Sequence, residues 1–268
     1  MNGEIAQLVA LTCYGNAILA GQSVPGFFPQ NSTCQFAEYI RFSDAGRLVA
    51  ETPDIWFSSL IKENALGLVL GATASNNPHA PDRLLAGFVG GGRTWSVEVI
   101  LPDGKSEFWA ASWRVGNQAA LDRRIWQISY EKHKAAATQP HGFRALSDIK
   151  SDFQAALRDI RAFSRKHFGD EGFTVLFDNA LKALETPSYR PGYHQDLYPD
   201  GSLPITAQSL LSAASAAWVF GGMGSWNDLG FEDDQAEYDR VSEGLYLIIN
   251  EAIGTAASSS WRGSGLAG

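Results

Sequence analysis

Between Thr206 and Ile253, apolar residues recur at helical spacing on both sides of a glycine-rich turn, so at least this part of the chain must pack as helices. Leu210, Leu211, Ala214, Ala217 and Trp218 make the first stripe, with Thr206 in position to cap its start and Gly221-Gly222 to end it. Tyr238, Val241, Leu245, Ile248, Ile249 and Ala252 make the second. Asp234 is the expected N-cap of that helix, with Glu237 three residues on completing a capping box. Between the stripes lie Gly221-Gly222-Met223-Gly224-Ser225-Trp226-Asn227-Asp228 and the acidic run Glu232-Asp233-Asp234. Two stripes joined this way predict a helical pair on a shared core.

Upstream, two more helices are expected. Phe153, Leu157, Ile160 and Phe163 follow a capping-box pattern at Ser151–Gln154 and stop at Gly169; Phe173 to Leu184 ends near Thr186-Pro187. The first half has a different period. Trp95, Val97 and Val99 alternate with Ser96 and Glu98, Pro102-Asp103-Gly104 turns the chain, and Phe108 to Val115 returns. Trp109 and Trp113 share parity and face one side. Further strands are expected at 36–42, 66–70 and 125–130, a turn at Asp44-Ala45-Gly46, and either a strand or a short helix at 56–61. Residues 5–20 read as two short strands about Tyr14-Gly15-Asn16, and 21–33 as a loop whose aromatics fold over the core. The fold class is α+β: an antiparallel β-rich half (1–134), a linker at 135–142, a helical half (147–258) packed against it as one compact body, and a frayed tail (259–268). With 268 residues, 45% hydrophobic and 19% charged, the chain can bury a substantial core.

Charge narrows the partners. The formal net charge is -8, and from Gly221 onward eight carboxylates face only Arg240 and Arg262. An acidic face repels nucleic acid and favours a basic protein. Two cysteines, Cys13 and Cys34, are too few for a disulfide framework. No basic leader and no apolar run of membrane-spanning length is evident, so the expectation is a cytoplasmic protein without membrane attachment.

The local motifs are mostly negative. Gly87 to Thr94 has phosphate-loop spacing, but Arg93 stands where lysine belongs and a strand rather than a helix follows. Ser225 lacks the second glycine of a nucleophile elbow; the ordinary reading of this turn has Asn227 or Asp228 bonding its backbone while Trp226 packs on the core. His79, His133, His141, His167 and His194 form no i,i+4 pair, and the Asp228–Asp234 acids do not match a calcium loop, so no metal and no cofactor is expected. The long loop at 189–204 holds His194 and Asp196. Two functional expectations follow. The first is a non-catalytic binding protein of inhibitor or immunity type, occluding a basic partner through Trp226, Asp228, Glu232, Asp233 and Asp234. The second is a hydrolase in which His194, Asp196, Asp228 and Glu232 converge in one carboxylate- or metal-assisted site.

Overall fold

The computed structural model describes residues 1–75, 77–134, 142–186, 189 and 192–265. Its first element corrects the sequence reading. Gly3–Leu19 is a single 17-residue helix, α1, and not two strands. Asn2 caps it, its side-chain oxygen accepting from the Ile5 N–H at 2.9 Å. From Ile5 to Ala17 every residue is buried, so apolar groups occupy all sides of the helix and leave no helical period. Gly15, expected as a turn, lets the helix close on its neighbours: a Cβ there would meet Leu68 at 2.2 Å and Phe57 at 3.2 Å.

The strands are β1 (Ala37–Asp44), β2 (Arg47–Ala50), β3 (Gly67–Thr73), β4 (Thr94–Ile100), β5 (Ser106–Val115) and β6 (Trp126–Lys134). They form one sheet in the order β2-β1-β6-β5-β4-β3. The pairings are antiparallel except β1–β6, which is parallel, so the sheet is mixed rather than antiparallel throughout. The expected turns close β1–β2 at Ala45-Gly46 and β4–β5 at Gly104, with positive φ at all three residues.

The ambiguous 56–61 segment is helical. Thr52 caps α2 (Pro53–Lys62), which carries the chain from β2 to β3 at the opposite edge of the sheet. Its Trp56 stacks on Phe42 of β1 (4.4 Å, 9°), which stacks in turn on Tyr130 of β6 (4.9 Å, 12°). Trp95, Val97, Trp109, Ile128, Ile40 and Leu68 are buried in the same core. The shared parity of Trp109 and Trp113 therefore marks the inner face.

A short helix, α3 (Asp82–Leu85), precedes β4. The helical half comprises α4 (Leu146–Phe168), α5 (Phe173–Glu185), α6 (Ile205–Ala216) and α7 (Gln235–Ser258). Here α4 lies against α5 and α7, α6 lies against both as well, and α7 continues onto β3 and α1. Thus α1 sits between sheet and bundle and joins the two halves into one body. Three boundary details differ from expectation. Ser151 lies inside α4, α6 opens behind Pro204 without a side-chain cap, and Asp234 precedes α7 but caps nothing with its carboxylate. The linker at 135–141, Pro187 and residues 266–268 lie outside the described residues.

The end of the chain closes the free edge of β3. The Asn16 amide accepts from the Leu68 N–H at 2.7 Å and donates to the Leu68 carbonyl at 2.9 Å, as a neighbouring strand would. Ser258 Oγ accepts from the Leu70 N–H at 3.0 Å. Gly254 lets α7 approach the Leu70 carbonyl, and Gly67 lies under the Trp261 ring, where a Cβ would come within 2.2 Å. Ser259 and Ser260 are buried, so this part of the expected frayed tail is packed. A sheet edge that would otherwise recruit another strand is covered by side chains.

Candidate functional site

The glycine turn between α6 and α7 is held by its own side chains. Asp228 accepts from the backbone N–H groups of Gly224 and Ser225, while Ser225 Oγ accepts from the Asn227 N–H at 3.2 Å. This is a capping box around the 3₁₀ turn Trp226–Asp228. Asn227 ties the turn to α3 through its amide, which donates to the Arg83 carbonyl at 2.7 Å.

Trp226 is fully buried, as the core reading of the turn expected, and this removes it from the partner-binding surface. Its ring meets Phe173, Phe177 and Tyr238 at 5.1, 5.4 and 5.6 Å. Its Nε1–H donates to Ser242 Oγ at 2.7 Å, and its carbonyl accepts from the Tyr238 hydroxyl at 2.6 Å. A large apolar ring with one donor is well suited to a core position that offers one acceptor.

The acids divide by role. Asp228, Glu232 and Asp233 are exposed, Asp228 with its carboxylate engaged by the turn. Asp234 is half-buried and paired with Lys166 Nζ at 2.7 Å and His167 Nε2 at 3.1 Å. The Lys166 hydrogen bond, aided by the nearby charges, holds the Asp234 carboxyl below its ordinary range. Asp239 and Glu243 flank the buried Arg83, at 2.5 and 3.6 Å.

His194 and Asp196 do meet, but on Ser32. Ser32 Oγ lies 2.8 Å from His194 Nδ1 and donates to Asp196, which also accepts from the Ser32 N–H at 2.8 Å. The Asn31 amide donates to the Asp196 carbonyl at 2.8 Å. The hydroxyl has one proton, and a carboxylate only accepts, so that proton goes to Asp196 and His194 Nδ1–H donates to Ser32 Oγ. In a serine nucleophile the imidazole accepts the hydroxyl proton; here the direction is reversed. Burial lowers the His194 pKa against the pull of Asp196, favouring the neutral ring. The trio is a clasp between the 189–204 loop and the turn at Ser32–Cys34.

Among the described residues, no hydrogen bond or ion pair links His194 or Asp196 to Asp228 or Glu232, and no group of three or more His, Cys, Asp and Glu could hold a metal. The cavity beside His194 measures only about 20 Å³. Cys13 and Cys34 are buried and unpaired, and burial pushes both thiols up to about 12.

The sequence reading missed a different feature. An open cavity of about 320 Å³ is lined by Trp113 of β5, Trp126 of β6, Trp218 and Phe220 after α6, and Phe88 and Val89 after α3. Trp113 and Trp126 meet edge to face at 5.7 Å; Trp218 and Phe220 do so at 6.2 Å. Asn2, Gly3 and Glu4, at the start of α1, complete the lining. Phe88 is 64% exposed and Val89 59%, an unusual state for such side chains side by side. Gly87 makes this wall continuous with the acidic turn: a Cβ there would strike the Gly221 carbonyl at 2.2 Å. Glu4 accepts a hydrogen bond from the Gly90 backbone, and burial raises its pKa. The glycine-rich 87–92 segment thus shapes a cavity wall and leads into β4, the strand expected after it.

No helix among the described residues is long and apolar enough to cross a membrane. The chain matches no protein-family model, no curated protein and no solved structure.

Proposed function

We propose that this chain is a non-catalytic binding protein that engages a basic protein partner, in the manner of an inhibitor or immunity-type protein that covers a partner's basic site. The observation that carries the reading is the aromatic-lined cavity opening beside the acidic turn, the two sharing the Gly87–Gly221 contact. Interfaces concentrate their affinity in aromatic-rich pockets surrounded by polar rims. Here the exposed Phe88 at the cavity and the exposed acids Glu232 and Asp233 supply both chemistries. Glu232 and Asp233 have no ion-pair partner among the described residues, so their field is available for steering a cationic surface. A cytoplasmic setting belongs to the same proposal and is supported by the two unpaired thiols.

The hydrolase alternative draws no such support, because His194 and Asp196 are occupied by Ser32 and Asp228 by its own turn.

The test is capture of a partner from the native host by the tagged protein, followed by association kinetics for wild type and the Glu232→Lys/Asp233→Lys variant. Both side chains are exposed, so the fold should survive the change. A stoichiometric basic partner whose on-rate falls in the variant, with a weaker salt dependence, supports the reading. An unchanged on-rate and salt dependence would remove the acidic turn from the interface.

A further inference from the structure

We propose that the cavity walled by Trp113, Trp126 and Trp218 receives the guanidinium of an arginine side chain presented by the partner, with Glu4 as its counter-charge. The proposal rests on the basic-partner reading and says where one of the partner's cations goes.

The lining holds one ionisable side chain, Glu4, and no lysine, arginine or histidine. Glu4 has no ion pair among the described residues; its carboxylate accepts a hydrogen bond from the Gly90 backbone. It is a half-buried carboxyl group in the lining of the aromatic cavity, and it also borders a smaller pocket that Arg93 helps to line. Each class of occupant can be weighed against that. An anion would be repelled. A neutral apolar group would strip the remaining water from the carboxylate and return nothing, which is costly for a charge. A cation gains the Coulomb attraction of Glu4 and the negative faces of the indoles together. The amino end of α1 contributes about half a positive charge, which the full charge of Glu4 outweighs.

Arginine is favoured over lysine for three reasons. Its planar group stacks on indole, it is weakly hydrated, and its paired N–H groups match a carboxylate. Its stem can lie along Phe88 and Val89, whose exposure at the mouth is then covered.

The experiment needs no partner. The indole N–H signals of the uniformly ¹⁵N-labelled full chain are followed by NMR during titration with Nα-acetyl-arginine amide, Nα-acetyl-citrulline amide and Nα-acetyl-leucine amide. Citrulline keeps the shape of arginine without its charge. The expected result is a saturable shift of the Trp113, Trp126 and Trp218 signals with the arginine probe. Citrulline should bind about tenfold more weakly, within the range of a cation–aromatic contact plus a partly screened ion pair. Glu4→Gln should narrow the difference to the part the indoles supply while leaving the other indole signals in place, which verifies the fold. A second variant, Trp218→Leu, should weaken the arginine probe without restoring the neutral ones. No saturable shift with the arginine probe, or equal binding of citrulline or leucine amide, overturns the proposal; the latter outcome makes the cavity an apolar anchor pocket. The two readings fail separately. Loss of partner binding in Glu232→Lys/Asp233→Lys with no response to the arginine probe removes only the cage. A clean arginine response with an indifferent double lysine variant removes only the acidic turn.

Discussion

Replacing Asn16 by leucine is expected to destabilise the protein more than replacing it by alanine, although leucine is the larger apolar residue. The Asn16 amide satisfies both backbone groups of Leu68 at the buried edge of β3, at 2.7 and 2.9 Å, and donates to Ser260 Oγ at 2.8 Å. Ser260 retains the Ala257 carbonyl at 2.6 Å, so its hydroxyl is not orphaned. Two backbone groups are. At about 1–3 kcal/mol for each buried group left unpaired, the leucine variant should lose about 2–6 kcal/mol. Alanine leaves room beside a cavity of about 310 Å³ that Asn16 and Ser260 already line. Water entering there can satisfy both groups, which puts Asn16→Ala at the low end of the same range. With a urea slope of about 3 kcal/mol per M, a loss of 3 kcal/mol moves the unfolding midpoint by about 1 M, readily measured by tryptophan fluorescence. Amide exchange at Leu68 supplies a local readout, because its N–H loses the Asn16 acceptor in both variants. A leucine variant within about 0.5 kcal/mol of wild type, or one more stable than the alanine variant, would refute the idea that a side-chain amide acts as the missing strand.

Other expectations test other parts of the fold. Trp226→Ala should cost about 3–5 kcal/mol, as removal of a fully buried indole does; a near-neutral urea midpoint would return Trp226 to the surface. Trp226→Phe should cost less, and adding Ser242→Ala should recover part of that loss, since the serine hydroxyl otherwise loses its 2.7 Å donor. His194 has a folded pKa below its unfolded value of about 6.5, so the folded state binds fewer protons and its stability rises with pH between those two values. That contribution disappears as pH falls through about 6.5 towards the folded value, and His194→Gln should flatten this part of a stability-against-pH curve; an unchanged slope would contradict the burial of the ring. Cys13 and Cys34, with thiols pushed up to about 12, should resist a disulfide reagent at pH 8 in the folded protein and both react in denaturant.

What the sequence determined is several elements whose apolar residues keep a regular period. Alternation at Trp95, Val97 and Val99 marks β4, and the spacing of Phe153, Leu157, Ile160 and Phe163 marks α4, because apolar residues that share a face carry the period of their element. The positive-φ turns at Ala45-Gly46 and Gly104 were equally legible, since they depend on local backbone sterics. The acids of the 228–234 segment were visible as charge and Asp228 as a residue bonding its own turn, though not that Asp234 would hold a lysine. Helix α1 was misread because burial on all sides removes the period, and Gly15-Asn16 then resembles a turn. Trp226 kept two readings, core and partner surface, because it stands beside glycines and acids; Phe173, Phe177 and Tyr238, supplied by other segments, bury it. The aromatic cavity lies furthest from the sequence. Its walls come from the start of α1, the 86–89 segment, strands β5 and β6, and the 218–221 segment. Local pattern records which way a residue faces; which distant segment it faces is decided by how α1, the sheet and the bundle close around one core, and that is where this cavity was made.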